Sequence, residues 1–244
     1  MCKFTQDKND ASASNAGPTD LTFIPSNPLC QKAYEFCSSH LHPSILHHSI
    51  RVFLHAKHIL TVPATIHGAP FTWSPINPQD GETLLFIASM FHDMGTTDLF
   101  NGDERFEVCG ADAAITFIRT NAPAIDERDV YDVWAAIACH TSPGIAERIV
   151  PLARVLRLGV LVDFDRPGLR VELGAVELSA VLEGRYTRME IERVLGDAVV
   201  AQIMSKPEGE GRLMKGPKNS WPGWLLKGYL EMQKEGVDGV NRYF

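Results

Sequence analysis

Residues 81–95, Gly-Glu-Thr-Leu-Leu-Phe-Ile-Ala-Ser-Met-Phe-His-Asp-Met-Gly, decide how the rest of the chain is read. Leu85, Ala88 and His92 recur at three- and four-residue spacing, which is one face of an α-helix. The spacing predicts a helix over Gly81–Asp93 that stops at Gly95, a residue type that readily takes the left-handed position after a helix. A histidine and an aspartate therefore close an otherwise apolar run. Adjacent helical residues point about 100° apart, so both can address one point only beside the last turn.

The same periodicity, followed outward, predicts helices at about 29–40, from Pro43 to about Leu60, at 104–120, 126–141, 145–164 and 187–205, and after Pro222. Pro151 is an alternative first turn for the helix at 145–164. No internal repeat and no period-2 series is present, so the fold class is all-α, a helical bundle. Residues 1–27 are polar and broken by Gly17-Pro18, Pro25 and Ser/Asn clusters, and read as a flexible, disordered N-terminal arm. Residues 28–244 read as one helical domain, with a core at about 43–165 and a helical C-terminal extension at about 166–244. Within that extension, the stretch after Phe164 looks irregular and Lys206–Lys218 reads as a loop. Val62–Pro78 is a Pro-rich connection of a length usually reserved for lids or oligomer contacts.

Four helices place an ionisable residue on a stripe that otherwise reads as core. His48 lies in line with Ile45, Val52, Ala56 and Ile59; His92 with Leu85 and Ala88; His140 with Val133 and Ile137; and Asp163 with Leu152, Leu156 and Val160. A buried, unpaired carboxylate costs several kcal/mol or more, and it normally neutralises or finds a partner. Convergence on a cation explains the whole set at once. Two imidazoles and two carboxylates neutralise a divalent ion, which makes His48, His92, Asp93 and Asp163 candidate ligands for Zn²⁺, with Fe²⁺ or Mn²⁺ as alternatives. Taken singly, each has a plainer reading: a hydrogen-bonded core histidine, or for Asp163 a cap or a salt bridge to Arg51 or Arg166.

Composition narrows the partners. The chain of 244 residues carries a formal net charge of -7 and no Lys/Arg block, which argues against nucleic acid. Cys2, Cys30, Cys37, Cys109 and Cys139 form no C-x-x-C pair and suit a reducing compartment. No apolar run approaches a bilayer span, and nothing near Met1 looks like a signal peptide. These features lead us to expect a cytoplasmic protein, homo-oligomeric, acting on a small molecule and not on a membrane.

The order His48-Ser49-Ile50-Arg51-Val52-Phe53, then His92-Asp93-Met94-Gly95-Thr96, then Arg105-Phe106-Glu107 with Gly110, then Ala135-Ala136-Ile137 before His140, and finally Asp163, resembles the HD superfamily. Within it, residues 40–165 look most like the fungal cyanamide hydratases. The resemblance implies an all-helical HD fold with one zinc on His48, His92, Asp93 and Asp163, and hydration of the nitrile of cyanamide to urea. In that scheme metal-bound hydroxide attacks the nitrile carbon, Asp93 orients the water, and His140, near the substrate, delivers a proton. Thr96 and Thr97 could offer hydroxyls to a polar substrate, although capping of their own loop is the plainer reading. Glu107 is placed as an acceptor for a ligand histidine or for Arg51. The chain departs from these hydratases in its long Val62–Pro78 connection, in the Thr-Ser-Pro that follows His140, and in everything after residue 165. An HD-type phosphohydrolase drawing on Arg51 and Arg105, a dinuclear oxygenase, and a catalytically silent ligand-sensing module are the competing readings.

Overall fold

Prolines and side-chain caps set the helix starts. In the computed structural model, which describes residues 21–62, 65–66, 69–70 and 75–244, Asn27 accepts the Leu29 N–H at 2.9 Å and opens α1 (Pro28–His40). His42 caps α2 (Pro43–Thr61) in the same way. Then follow α3 (Gly81–Phe91), α4 (Phe106–Asn121), α5 (Glu127–Cys139), α6 (Ala146–Ile149) and α7 (Pro151–Asp163). The C-terminal part adds α8 (Leu169–Glu172), α9 (Val176–Arg185), α10 (Ile191–Met204), α11 (Glu210–Lys215) and α12 (Trp221–Glu235). Apart from paired two-residue strands at Thr65–Ile66 and Ala69–Pro70, the described fold is all-α. No described helix is long and apolar enough to cross a membrane.

Several boundaries differ from the expectation, each for a local reason. The helix expected at 145–164 is two, because Val150 is extended (φ -142°, ψ 150°) as a residue before proline prefers, and Pro151 begins α7. The irregular stretch after Phe164 holds α8 and α9, and the expected Lys206–Lys218 loop holds α11. Residues 21–27 do not belong to the arm expected over 1–27. Phe23 is buried, its ring 5.6 Å from Tyr34 and 5.6 Å from Tyr186, so residues 21–27 belong to the core edge. Residues 1–20 and, within the Val62–Pro78 connection, residues 63–64, 67–68 and 71–74 lie outside the described residues.

Helix α3 is the axis of the bundle. Every residue from Thr83 to Phe91 is buried, as expected of a helix that is apolar on all sides, and α1, α2, α4, α5 and α7 pack around it. Helices α2 and α7 approach closely because position 159 is glycine: a Cβ there would lie 2.8 Å from the Val52 carbonyl oxygen. One turn from Val52 on α2 stands His48, and one turn from Gly159 on α7 stands Asp163. The close crossing brings these two side chains together.

Gly95 serves a different purpose from the one its type suggested. It is not among the positive-φ residues, so no left-handed cap is involved. Instead, a Cβ at 95 would sit 1.9 Å from the Phe106 oxygen and 2.8 Å from the Gly110 nitrogen, where the turn after α3 abuts the start of α4. Both contacts are backbone and cannot swing aside. Gly95→Ala is therefore expected to destabilise the protein by about 3 kcal/mol or more. Urea unfolding measures this, and a loss below about 1 kcal/mol would contradict the close-approach explanation.

Candidate metal centre

The three imidazoles are fixed in one tautomer by acceptors that cannot donate. His48 Nδ1–H donates to Asp163 Oδ2 at 2.7 Å, His92 Nδ1–H to the Ser89 carbonyl at 2.7 Å, and His140 Nδ1–H to the Ile137 carbonyl at 2.7 Å. In the neutral rings each Nε2 is then left with a lone pair. The Ser89 and Ile137 bonds each reach three residues back from the end of a helix. Helix termini leave those carbonyls open, which is why a histidine at the end of α3 and one at the end of α5 can use them.

These lone pairs point at one another and at Asp93. His48 Nε2 lies 3.1 Å from His92 Nε2, and His92 Nε2 lies 3.2 Å from Asp93 Oδ2. His48 Nε2 is 3.6 Å from Asp93 Oδ2, and His140 Nε2 is 3.6 Å from Asp93 Oδ1. Neither Asp93 oxygen accepts a hydrogen bond although the side chain is 1% exposed. Acceptors converging in a dry interior repel unless a positive charge lies among them. Ligand atoms of His48, His92 and Asp93 all lie within 4.8 Å of one another. Two imidazole nitrogens and a carboxylate with both oxygens unpartnered fit a divalent metal such as Zn²⁺, Fe²⁺ or Mn²⁺.

The local electrostatics agree with that arrangement. Burial alone would raise the Asp93 carboxyl, but the facing imidazoles of His92, His140 and His48 outweigh it and hold the group well below the usual carboxylate range. Burial pulls His92 down, yet the Asp93 charge more than compensates and leaves it raised. His48 is lowered by burial, and its bond to Asp163 offsets only part of that effect.

Asp163 has another task than the direct ligation expected of it. It stands behind His48, on the Nδ1 side of the ring, and its oxygens are taken by Arg51: Nε to Oδ1 at 2.6 Å and an Nη atom to Oδ2 at 2.9 Å. Arg51 also donates to the carbonyls of Tyr186 at 2.8 Å and Thr187 at 3.2 Å. The salt bridge to Arg51, the plainer alternative for Asp163, is the one present. Burial would raise the Asp163 carboxyl; its bonds to His48 and Arg51 bring it well below the ordinary value instead.

His55 adjoins the same carboxylate. It is fully buried, neither ring nitrogen has a hydrogen-bond partner, and Nε2 lies 3.8 Å from Asp163 Oδ1. Burial lowers its pKa from 6.5 to about 4; Asp163 opposes the shift, and Arg170 and Arg51 reinforce it. The folded state thus takes up this proton less readily than the unfolded chain. The His55 contribution is intact above pH 6.5 and lost as pH falls toward 4. Going from pH 7 to 4.5 should remove ~2 kcal/mol through this residue. Urea unfolding of His55→Leu at the two pH values should lack that part of the acid sensitivity. An acid dependence unchanged by the substitution would refute the assignment.

The centre lies in a cavity of about 390 Å³ bordered by His48, His92, Asp93 and His140. Two expected substrate contacts are absent from it. Thr96 Oγ1 donates to the Asp93 carbonyl at 2.7 Å and Thr97 Oγ1 to the Met94 carbonyl at 2.9 Å, so both hydroxyls cap their own turn. Glu107 is buried, and it pairs with Arg105 at 2.5 Å and with the Thr141 hydroxyl, instead of a ligand histidine or Arg51. It fixes the residue beside His140. Arg157, which sequence reading missed, bonds the His140 carbonyl at 2.8 Å and Glu147 at 2.5 Å. Its position three residues before Val160, on the stripe of α7, was the available signal. Phe164 and Phe244, which share the apolar wall with Trp221 and Trp224, were also missed. A larger open groove of about 880 Å³, between α1 and α4, contains none of the centre's residues.

Comparison with protein-family models finds no match, and comparison with curated proteins finds none either.

Proposed function

We propose that this chain is a metal-dependent hydro-lyase of the HD type, adding water to the carbon–nitrogen triple bond of cyanamide or a similar nitrile-like compound. Cyanamide would give urea. The observation that carries the reading is the grouping of His48, His92 and a buried, unpartnered Asp93 within 4.8 Å of one another in a cavity that His140 also borders. His48, His92 and Asp93 would hold the ion, Zn²⁺ in first place, with Fe²⁺ or Mn²⁺ as alternatives. When bound, such an ion acts as a Lewis acid and brings the pKa of a coordinated water toward about 7.

The chain's own residues supply positioning and proton transfer. Asp163, backed by Arg51, holds the His48 ring with Nε2 directed into the centre. Asp93 Oδ1, which faces His140 Nε2 at 3.6 Å, orients the attacking water, whose proton passes to the open Nε2 of His140. His140 Nε2 relays a proton to the nitrile nitrogen, while Arg157 and the Glu107–Thr141 pair keep that end of α5 in place. A C–O bond forms, one C–N π bond breaks, and the nitrogen gains a proton. The resulting isourea becomes urea when its O–H proton moves to nitrogen.

A phosphohydrolase needs free cations for the phosphate oxygens. Among the described residues lining the cavity, Arg157 is the one Lys or Arg, and it is paired with Glu147. Arg51 is engaged by Asp163 and Arg105 by Glu107. These pairings favour an uncharged substrate. A cytoplasmic location and a homo-oligomeric state belong to the same proposal. The test is urea release from cyanamide by the purified protein, with and without a chelator. Urea formation lost on chelation supports the proposal. Phosphate release from monoesters without any urea would replace it with phosphohydrolase activity, and metal binding with neither product would leave a ligand-sensing module.

A further inference from the structure

The cavity is far larger than cyanamide requires. Cyanamide has three heavy atoms, whereas about 390 Å³ would hold roughly a dozen water molecules and lies within the range of pockets that enclose drug-sized ligands. The space is also two-sided in chemistry. The imidazoles and Asp93 border it with Thr141, Arg157 and Glu192, and Leu161, Phe164, Leu195, Trp221 and Phe244 supply most of its apolar lining. A substrate with no apolar part would leave that second surface facing water.

The apolar wall is built and held in place. The Phe244 ring packs edge-on against Phe164 at 4.9 Å and Trp221 at 5.4 Å. The Phe244 N–H donates to the Asn241 carbonyl at 3.0 Å, the Asn241 amide donates to the Leu225 carbonyl at 2.8 Å, and Trp221 Nε1–H donates to the Tyr243 carbonyl at 3.3 Å. Three tertiary or turn contacts thus fix the chain after α12 over the cavity. Fixed aromatic faces at edge-to-face angles suit a further flat ring.

We infer that the substrate class of this site is a cyanamide or nitrile bearing an aromatic or bulky apolar group. Its C≡N end lies toward Asp93 and His140, and the apolar group lies against Phe164, Trp221 and Phe244. The assignment of the reacting end rests on the hydration reading; that of the apolar group rests on the cavity alone. For an N-aryl cyanamide the product is the N-aryl urea: water oxygen bonds to the nitrile carbon, and both water hydrogens finish on the former nitrile nitrogen. Trp221, Trp224 and Phe244, all from the C-terminal part, set specificity.

The test is titration of the full-length metal-loaded protein with phenylcyanamide and with cyanamide, followed by calorimetry and tryptophan fluorescence. Phenylcyanamide should bind about tenfold more tightly or better, as burying a ring implies. Trp224→Ala and Phe244→Ala should each reduce that preference about tenfold. Trp224 is 41% exposed, so its removal leaves the core intact. Trp134→Phe is the control, because Trp134 stacks on Tyr131 away from the cavity, and it should keep the parent Kd. Cyanamide binding as tightly as phenylcyanamide, or a preference untouched in both alanine variants, overturns the inference. Phenylcyanamide bound with the expected variant dependence but never hydrated upholds the inference and removes the hydration reading. Urea formed from cyanamide without phenylcyanamide binding does the reverse.

Discussion

Asp93→Ala should take the bound metal from about one ion per chain to near none and lower hydration about a thousandfold or more. The magnitude follows from the several kcal/mol of charge stabilisation that a catalytic ion supplies. Among the described residues, Asp93 is the one carboxylate grouped within 4.8 Å with His48 and His92, and it faces His140. Its oxygens accept no hydrogen bond, so removing them leaves no buried donor unsatisfied. The variant should therefore keep its helical circular dichroism. Elemental analysis and a urea assay on the same preparation separate the two effects. A variant that keeps both metal and turnover would eliminate Asp93 as a ligand.

The second large effect falls on stability. Arg51→Met removes the guanidinium that makes two hydrogen bonds to Asp163, both partners being fully buried. An uncompensated buried carboxylate costs about 3–5 kcal/mol. The double variant Arg51→Met with Asp163→Asn should recover much of that loss, because a neutral amide needs no countercharge. Denaturant unfolding of the single and double variants measures the coupling. A single-variant loss below about 1 kcal/mol would show that the pair contributes little. The same ion pair also orients the His48 ring. Asp163→Ala, which deletes the acceptor for His48 Nδ1–H, should weaken metal binding about 10- to 100-fold, and Asp163→Asn, which keeps an acceptor oxygen, by less.

The periodicity of α2, α3, α5 and α7 was enough to select the polar residues of the centre, because a helix repeats its faces regularly whatever it packs against. It could not separate the side chains that meet at the candidate metal centre from those that hold them in place. Asp163 and Arg51 were both visible, but their pairing depends on how closely α2 and α7 cross, which Gly159 sets through contact with the Val52 backbone. Gly95 was misread for the same reason. Its type suggested a left-handed turn, whereas its lack of a Cβ serves the approach of α4. A hydroxyl in sequence carries no direction, so Thr96 and Thr97 read either as substrate contacts or, more plainly, as caps of their own loop; in the fold both bond their own turn. The apolar wall was out of reach of periodicity altogether. It is assembled from the end of α7, the start of α12 and the last residue, segments that local pattern cannot bring together.

One cation shared by His48, His92 and Asp93 underlies the proposed chemistry, and the most direct measurement is the metal content of the native purified protein by elemental mass spectrometry. About one equivalent of a first-row divalent ion per chain, removed by a chelator and restored by Zn²⁺, Fe²⁺ or Mn²⁺, is the expected result. A protein that is folded, holds no such ion as purified and takes up none on addition would contradict it.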